Sequence, residues 1–290
     1  MSAGPGRAAE PAPLRGRIGT LAGPVGWALV LLLLPGVVLA LMSTGSRPSA
    51  GGVVYDGSME AWRWLADKHD LVSRTAWRSV RLAGLATVLA LALATPVAWW
   101  IARAPVSRRP LLLLLVVLPS WTSFLLRTYA WRFVFGTEGP VNSLLEHLGW
   151  TTVRFLNTET AVVTGLVYGY LPFAVLPIYV AVERLDRDVL AAARDLGAGA
   201  VRTFVSVAFP LTLAGTAAGA VLVFVPSLAA FVTPAVLGGN DTYMIGQLTQ
   251  DQFLKARDWP VGAALGAALA AAALFALLLA ALAGGRARRA

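Results

Sequence analysis

Long apolar stretches alternate with short polar segments along this chain of 290 residues. Residues 18–46, 160–182, 204–240 and 259–285 contain no Asp, Glu, Lys or Arg. A helix needs roughly 20 mostly apolar residues to cross about 30 Å of hydrocarbon, and a soluble core does not require such unbroken runs. The pattern therefore predicts an all-α integral membrane protein with six transmembrane helices.

The apolar runs divide the chain into a membrane domain and two tails. We expect a membrane domain over 21–283, a disordered basic tail over 1–20 and a second tail over 284–290. The long polar segment after the first span predicts a short amphipathic helix around residues 58–69. The six spans are predicted at about 21–42, 80–102, 111–133, 160–182, 209–237 and 261–283.

Composition supports the membrane interpretation and sets the orientation. Charged residues make up 13% of the chain, about half of the roughly 25% usual in soluble domains. The net charge of +9 could indicate nucleic acid, but arginine-rich cytoplasmic segments explain it better in a membrane protein. Arginine is more frequent in the segments that lie on the same side of the membrane as the N-terminus. Both termini are thus predicted to be cytoplasmic, and no nucleic acid partner is expected.

The residues that catalysis or metal binding would need are scarce. The chain has no cysteine, and its two histidines, His69 and His147, are not spaced as a ligand pair. No G-x-x-x-x-G-K-[ST] phosphate loop occurs. We therefore predict no catalytic residue, no metal site and no cofactor within this chain.

The residues of the spans argue against two classes of membrane protein. An ion-coupled secondary transporter predicts ionisable residues in mid-span and an internal repeat, but four of the six spans are free of charge and no repeat is visible. A membrane-embedded enzyme predicts a clustered His/Asp/Glu or Ser site within the spans, and none is present in the sequence.

Glycines spaced four apart, as at Gly165/Gly169, Gly215/Gly219 and Gly262/Gly266, predict close helix packing.

The segment 183–208 predicts a helix, a glycine break and a second helix on the cytoplasmic surface. Asp188 can cap the first helix, and Leu190, Ala193 and Leu196 follow one of its sides. Gly197 or Gly199 can end this helix with a positive φ angle. The second helix has apolar residues at i, i+3, i+4 and i+7, namely Val201, Phe204, Val205 and Ala208. Such a surface is suited to docking a partner.

This segment resembles the EAA loop of type I ABC importer permeases, whose pattern is E-A-A, three residues, G, nine residues and I-x-L-P. The sequence departs from that pattern with Ala191 in place of Glu, Val207 in place of Ile and Phe209 in place of Leu, and the first change removes a charged contact. The matching positions are Ala191, Ala192, Ala193, Gly197, Val207, Phe209 and Pro210.

The chain is similar to the spermidine/putrescine permease subfamily in particular. The matching segments are residues 118–131, 165–179, 192–198, 237–239 and 252–264. The resemblance implies the type I importer fold and a subunit of the bacterial inner membrane. It also implies a second, heteromeric permease subunit, two subunits that bind and hydrolyse ATP, and an extracytoplasmic solute-binding protein. Related permeases for iron, thiamine, phosphonates or opines share parts of the pattern, so these cargoes remain alternatives.

The resemblance assigns coupling to the ATPase to one set of residues: Ala191, Ala192, Ala193, Arg194, Asp195, Gly197, Arg202, Phe204 and Pro210. A polycation path calls for aromatic and acidic groups, for which the candidates are Trp121, Ser123, Tyr129, Tyr168, Tyr170, Ser227, Glu159, Asp241 and Asp258. The alternative for these residues is an aromatic belt at the membrane interface with solvated loop carboxylates. Arg127 would repel a polycation and is assigned to structure or to docking of the binding protein.

Overall fold

The computed structural model describes residues 14–48 and 52–287. All regular elements within these residues are helical. Of the predicted N-terminal tail, residues 14–20 belong to the first helix, whereas residues 1–13 lie outside the described part, as do residues 288–290 of the C-terminal tail. The helices are α1 (Leu14–Ser43), α2 (Glu60–Asp67), α3 (His69–Arg103), α4 (Arg109–Val117), α5 (Phe124–Val134), α6 (Pro140–His147), α7 (Glu159–Glu183), α8 (Arg187–Asp195), α9 (Ala200–Thr203), α10 (Phe209–Leu228), α11 (Val232–Leu237), α12 (Ile245–Leu254) and α13 (Trp259–Ala287).

Four stretches of helix in the described residues are long and apolar enough to cross a membrane. They are His69–Arg103, Glu159–Glu183, Ala200–Leu228 and Trp259–Leu278. A fifth span results if the bent pair of α4 and α5 is counted as one. The predicted first span, 21–42, lies within α1, and the predicted amphipathic segment, 58–69, contains α2. The structure thus supports an all-α bundle with four or five spans by this measure.

Helix α7 lies at the centre of the bundle and packs chiefly against α3 and α10. The surface of α3 that joins the core carries alanine at every fourth position: Ala86, Ala90, Ala94 and Ala98 are fully buried. Small side chains on one face let helix backbones approach closely, which is how helices associate in lipid. Helix α1 packs against α13 at the side of this core.

The predicted third span, 111–133, is not one straight helix. The axes of its two halves differ by 86°, and the turn Leu118–Trp121 joins them. Thr122 and Ser123 have extended backbones with ψ angles of 154° and 131°, and the Thr122 hydroxyl donates to the carbonyl of Pro119 at 2.8 Å. The helix therefore ends before Thr122 and a new one starts after Ser123, with the hydroxyl of Thr122 satisfying one carbonyl at the end of the first half.

The predicted fifth span, 209–237, is also interrupted. Helix α10 ends at Leu228 and α11 begins at Val232. Pro234 has no backbone N–H and would clash with the carbonyl of Ala230 in a continuous helix, but it is tolerated in the first turn of a new one. The break places Pro234 in the first turn of α11, where its missing N–H costs no helical hydrogen bond.

The glycine pairs lie at helix contacts, as predicted. A Cβ atom on Gly215 would come within 2.6 Å of the Pro177 carbonyl of α7, and one on Gly219 within 3.2 Å of the Ala174 carbonyl. A Cβ atom added to Gly165 would contact Leu237 and Thr233, and one added to Gly169 would contact Phe124. A Cβ atom added to Gly262 would contact Phe253, and one added to Gly266 would lie near Leu39. These glycines thus set the spacing between helices.

Candidate functional site

The segment after α7 forms a helical elbow (residues 187–208), which consists of α8, a tight turn, α9 and the π-helical turn Phe204–Ala208. Its first helix is capped by Asp186, whose carboxylate accepts from the Asp188 N–H at 2.9 Å. The sequence favoured Asp188 as the cap, but that residue lies inside the first turn. A capping residue precedes the helix with a non-helical backbone, and the ψ angle of 127° at Asp186 meets this condition.

Gly197 ends the first helix of the elbow. Its φ angle is +82°, its N–H donates to the carbonyl of Arg194 at 2.8 Å, and the N–H of Ala198 donates to the carbonyl of Ala193 at 3.1 Å. These two bonds define a Schellman cap, for which glycine is the favoured residue. Gly199 has a φ angle of −63° and precedes α9. Of the two glycines that could reverse the chain, Gly197 is the one that does.

The second half of the elbow runs without a break into a membrane span. Residues Ala200–Leu228 form one continuous helical stretch, within which Phe204–Ala208 is π-helical and the N–H of Phe209 donates to the carbonyl of Phe204. Pro210 cannot donate a backbone bond, and a π-turn is one way in which a helix absorbs such a defect. The predicted surface helix and the predicted fifth span are therefore one element.

The elbow has an inner and an outer side. Phe204 packs edge to face on Trp99 of α3, with ring centroids 5.7 Å apart, and Leu190 also packs against the core. Leu196 and Val201 flank the turn and are 89% and 77% exposed. Apolar side chains this exposed at a turn form a surface suited to covering by a partner.

The residues assigned to ATPase coupling divide between these two sides. Ala193 and Phe204 are half-buried against the bundle. The remaining seven are exposed, namely Ala191, Ala192, Arg194, Asp195, Gly197, Arg202 and Pro210.

A polar network lies between the elbow and the spans. Arg109 contacts Glu183 at 3.1 Å and donates through Nε to the carbonyl of Ala104 at 3.0 Å. The hydroxyl of Tyr179 donates to the same carboxylate at 2.6 Å. No sequence pattern pointed to this network, although the spacing of four residues between Tyr179 and Glu183 places them on one helix face.

The candidates for the cargo path lie toward the other end of α7. Glu159 begins this helix, about 36 Å from Glu183 at 1.5 Å per residue. Tyr170 stacks on Phe124 with centroids 6.1 Å apart, and Tyr168 meets Trp131 edge to face at 5.4 Å. Trp121 and Tyr129 are 71% and 53% exposed. The aromatic candidates of α7 thus meet residues of α5.

The acidic candidates have different surroundings. Glu159 forms an ion pair with Arg81 of α3. Asp258 accepts from the Val261 N–H at 3.2 Å and lies 3.8 Å from Arg47, so that it caps α13. Asp241 is exposed in the short turn Asn240–Thr242.

The polar candidates Ser123 and Ser227 also differ in exposure. Ser123 is exposed at the start of α5. Ser227 is fully buried, and its hydroxyl has no hydrogen-bond partner among the described residues. Taken with the acidic residues, the nine candidates do not share one environment.

Two further polar side chains, Arg127 and Tyr243, have unusual surroundings. Arg127 is half-buried, its guanidinium lies 5.6 Å from the centre of the Phe124 ring, and its Nε has no partner within the described residues. Outside the spans, Tyr243 donates to Asp251 at 2.8 Å. Burial, and then this hydrogen bond, raise the pKa of the Tyr243 hydroxyl, so it remains a neutral donor at physiological pH.

The long apolar helices, the bent and broken spans and the elbow between α7 and α10 define the chain as a multi-pass membrane transport subunit. Residues 72–288 match the family described as binding-protein-dependent transport system inner membrane component. The chain belongs to this family, and it is therefore a permease subunit of the inner membrane rather than an enzyme.

Named relatives and a solved structure agree with this assignment. The chain is 38% identical over 242 residues to the spermidine/putrescine transport system permease protein PotB of Escherichia coli strain K12, covering 83% of this chain and 87% of that protein. It is 36% identical over 241 residues to the protein of the same name from Haemophilus influenzae, covering 82% and 84%. A bacterial ABC transporter that imports the acidic polysaccharide alginate has the same fold, with a TM-score of 0.72 and 18% identity over 92% of this chain and 94% of that one.

Proposed function

We propose that this chain is one of two permease subunits of an ATP-driven importer for polyamines such as spermidine and putrescine. The names of the relatives at 36–38% identity support this cargo. Fold alone does not decide the cargo, because a transporter for an acidic polysaccharide shares it. The alternative cargo is another small solute, of the iron, thiamine, phosphonate or opine type, carried by the same kind of importer.

The continuous helix from the elbow into the membrane carries the mechanical part of the proposal. The exposed tip at Leu196 and Val201 would lie against an ATP-binding partner subunit. Because α9 and α10 form one helical stretch, a displacement of the tip would move α10 directly, and Phe204 would pass it to α3. The spans would then open alternately to the two sides of the membrane.

The partners and the orientation follow from the same proposal. Two ATP-binding subunits would hold the nucleotide, a second permease of different sequence would complete the path, and an extracytoplasmic binding protein would deliver cargo. The elbow within 183–208, the tails 1–20 and 284–290, and both termini would be cytoplasmic. Arginines near the elbow, including Arg103, Arg108 and Arg194, agree with the excess of positive charge on that side.

The cargo path would lie along the membrane domain 21–283 and begin among the exposed aromatic residues of α5 and α7. Trp121, Tyr129 and Tyr168 offer faces that can bind alkylammonium groups, with Ser123, Tyr170 and Ser227 along the path and Asp241 at its mouth. Glu159 and Asp258 already hold Arg81 and Arg47, so their proposed part in cargo binding is indirect.

Uptake by the reconstituted complex tests this function. Vesicles that hold the two permeases and the ATPase, supplied with the binding protein, are given labelled spermidine with and without ATP. We expect ATP-dependent uptake that unlabelled putrescine reduces and that thiamine or ferric iron does not. Uptake without ATP would contradict the ATP-driven mechanism. Preference for one of the other solutes would contradict the polyamine cargo.

A further inference from the structure

A cavity of 330 Å³ lies between the elbow and the spans. This is within the range of about 300–1,000 Å³ that is typical of ligand pockets. Its walls come from α3, α4, α7 and α8, and the residues that matter for its chemistry are Trp99, Arg103, Arg109, Glu183, Ala191 and Arg194.

The cavity carries uncompensated positive charge. Arg109 is paired with Glu183, and Tyr179 also donates to that carboxylate. Within the described residues, Arg103 and Arg194 form no ion pair with a carboxylate. The guanidinium of Arg103 lies instead over the ring of Trp99, 5.0 Å from its centre.

A buried donor in the same wall also lacks an acceptor. Trp99 is 8% exposed, and its indole N–H has no hydrogen-bond partner in the described part of the chain. Buried donors are rarely left unpaired, since losing water without a replacement is costly. Ala191, which stands where the EAA pattern has glutamate, lines the cavity without supplying a carboxylate. An anionic group with several oxygens in the cavity would pair with both arginines.

We propose that this cavity binds a phosphate-type oxyanion, supplied either as the headgroup of an anionic phospholipid or as free inorganic phosphate. Guanidinium groups match phosphate oxygens in geometry and charge. Because Arg194 belongs to the elbow and Arg103 to α3, a bound anion links the elbow to the membrane bundle. Binding of the anion at this site would regulate the permease. This regulation does not depend on which cargo the permease carries.

The test measures binding to the purified full-length chain with two probes. Labelled inorganic phosphate is titrated by equilibrium dialysis, and phosphatidylglycerol is compared with phosphatidylcholine by native mass spectrometry. Arg103→Gln removes one charge from the cavity, and Trp99→Phe removes the N–H while it keeps an aromatic ring against Phe204. Arg108→Gln removes an exposed arginine that does not line the cavity.

Affinity for at least one probe should fall about tenfold with Arg103→Gln, and less with Trp99→Phe, while Arg108→Gln leaves it unchanged. Binding of phosphate, phosphatidylglycerol or both in this pattern supports the site and identifies the source of the anion. Absence of binding for both probes, or equal losses with Arg103→Gln and Arg108→Gln, overturns it. A separate pull-down of the assembled complex serves as a control. Weaker co-purification of the ATPase with Arg103→Gln, together with no anion binding to the purified chain, also overturns the proposal, since the cavity would then receive a carboxylate from that protein. Each result is independent of spermidine uptake, so failure here is distinguishable from failure of the importer assignment.

Discussion

Phe204, in the π-helical turn of the elbow, contacts Trp99 of α3 edge to face with ring centroids 5.7 Å apart. This pair joins the segment proposed to meet the ATPase to a helix that packs along the centre of the bundle. A displacement of the elbow would therefore reach two spans, α10 through the continuous helix and α3 through the aromatic contact.

The aromatic pair should couple energetically. In a double-mutant cycle with Trp99→Leu, Phe204→Leu and the double variant, we expect a coupling energy of about 0.5–1.5 kcal/mol for the edge-to-face contact. The free energy of unfolding of the purified complex measures it, in a titration with dodecyl sulfate. Val205→Leu in place of Phe204→Leu gives the matched cycle, because Val205 is 57% exposed. Equal coupling in both cycles would show that the contact contributes nothing specific.

Gly215 should tolerate no side chain. A Cβ atom there would lie within 2.6 Å of the Pro177 carbonyl, and overpacking costs about 1–3 kcal/mol. Gly215→Ala should lower the melting temperature of the complex, whereas Gly84→Ala, for which no atom lies within 4 Å of the new Cβ, should keep or raise it. A similar fall in both variants would argue against close packing of α7 and α10.

Glu159 should act through Arg81 rather than on cargo. The two side chains are 41% and 51% exposed, and a pair this exposed contributes about 0–1 kcal/mol. Glu159→Gln should thus leave the concentration of spermidine at half-maximal uptake almost unchanged. The double exchange of Arg81→Glu and Glu159→Arg should transport normally. A large rise in that concentration in both variants would indicate that this carboxylate binds the polycation.

Asp258 should prove to be a helix cap. Asp258→Ala loses the bond to the Val261 N–H and should cost about 1 kcal/mol of stability. Asp258→Asn keeps an oxygen acceptor and should lose less, with normal uptake of spermidine. Thermal unfolding and uptake, measured on both variants, separate the two roles. Normal stability with defective uptake in Asp258→Asn would assign this carboxylate to the path instead.

The apolar runs were enough to predict helices α1, α7, α10 and α13, because a span of charge-free residues has few alternatives in a membrane. The 86° bend was missed, since it lies at the extended residues Thr122 and Ser123 and the average hydropathy of the run does not record the backbone conformation of two residues. The glycine turn of the elbow was predicted, and Gly197 was one of two choices. The pairing of Arg109 with Glu183 is a contact between distant segments, for which no local pattern exists.

Gly197 offers the most direct test that the elbow transmits energy from the ATPase to the spans. Its φ angle of +82° disfavours residues with a Cβ by about 1–2 kcal/mol, aspartate less than most, so Gly197→Asp should strain the turn and add a charge to its tip. The matched control is Gly199→Asp, which adds the same charge at a φ angle of −63° in a position where aspartate is a good helix cap.

The deciding measurement is ATP-dependent uptake of labelled spermidine by the reconstituted complex that carries either variant, with membrane insertion and ATPase co-purification recorded beside it. Coupling through the elbow predicts that Gly197→Asp inserts into the membrane but transports almost nothing, while Gly199→Asp keeps most of its uptake. Normal uptake by Gly197→Asp, with the ATPase bound as in the unaltered complex, would contradict it.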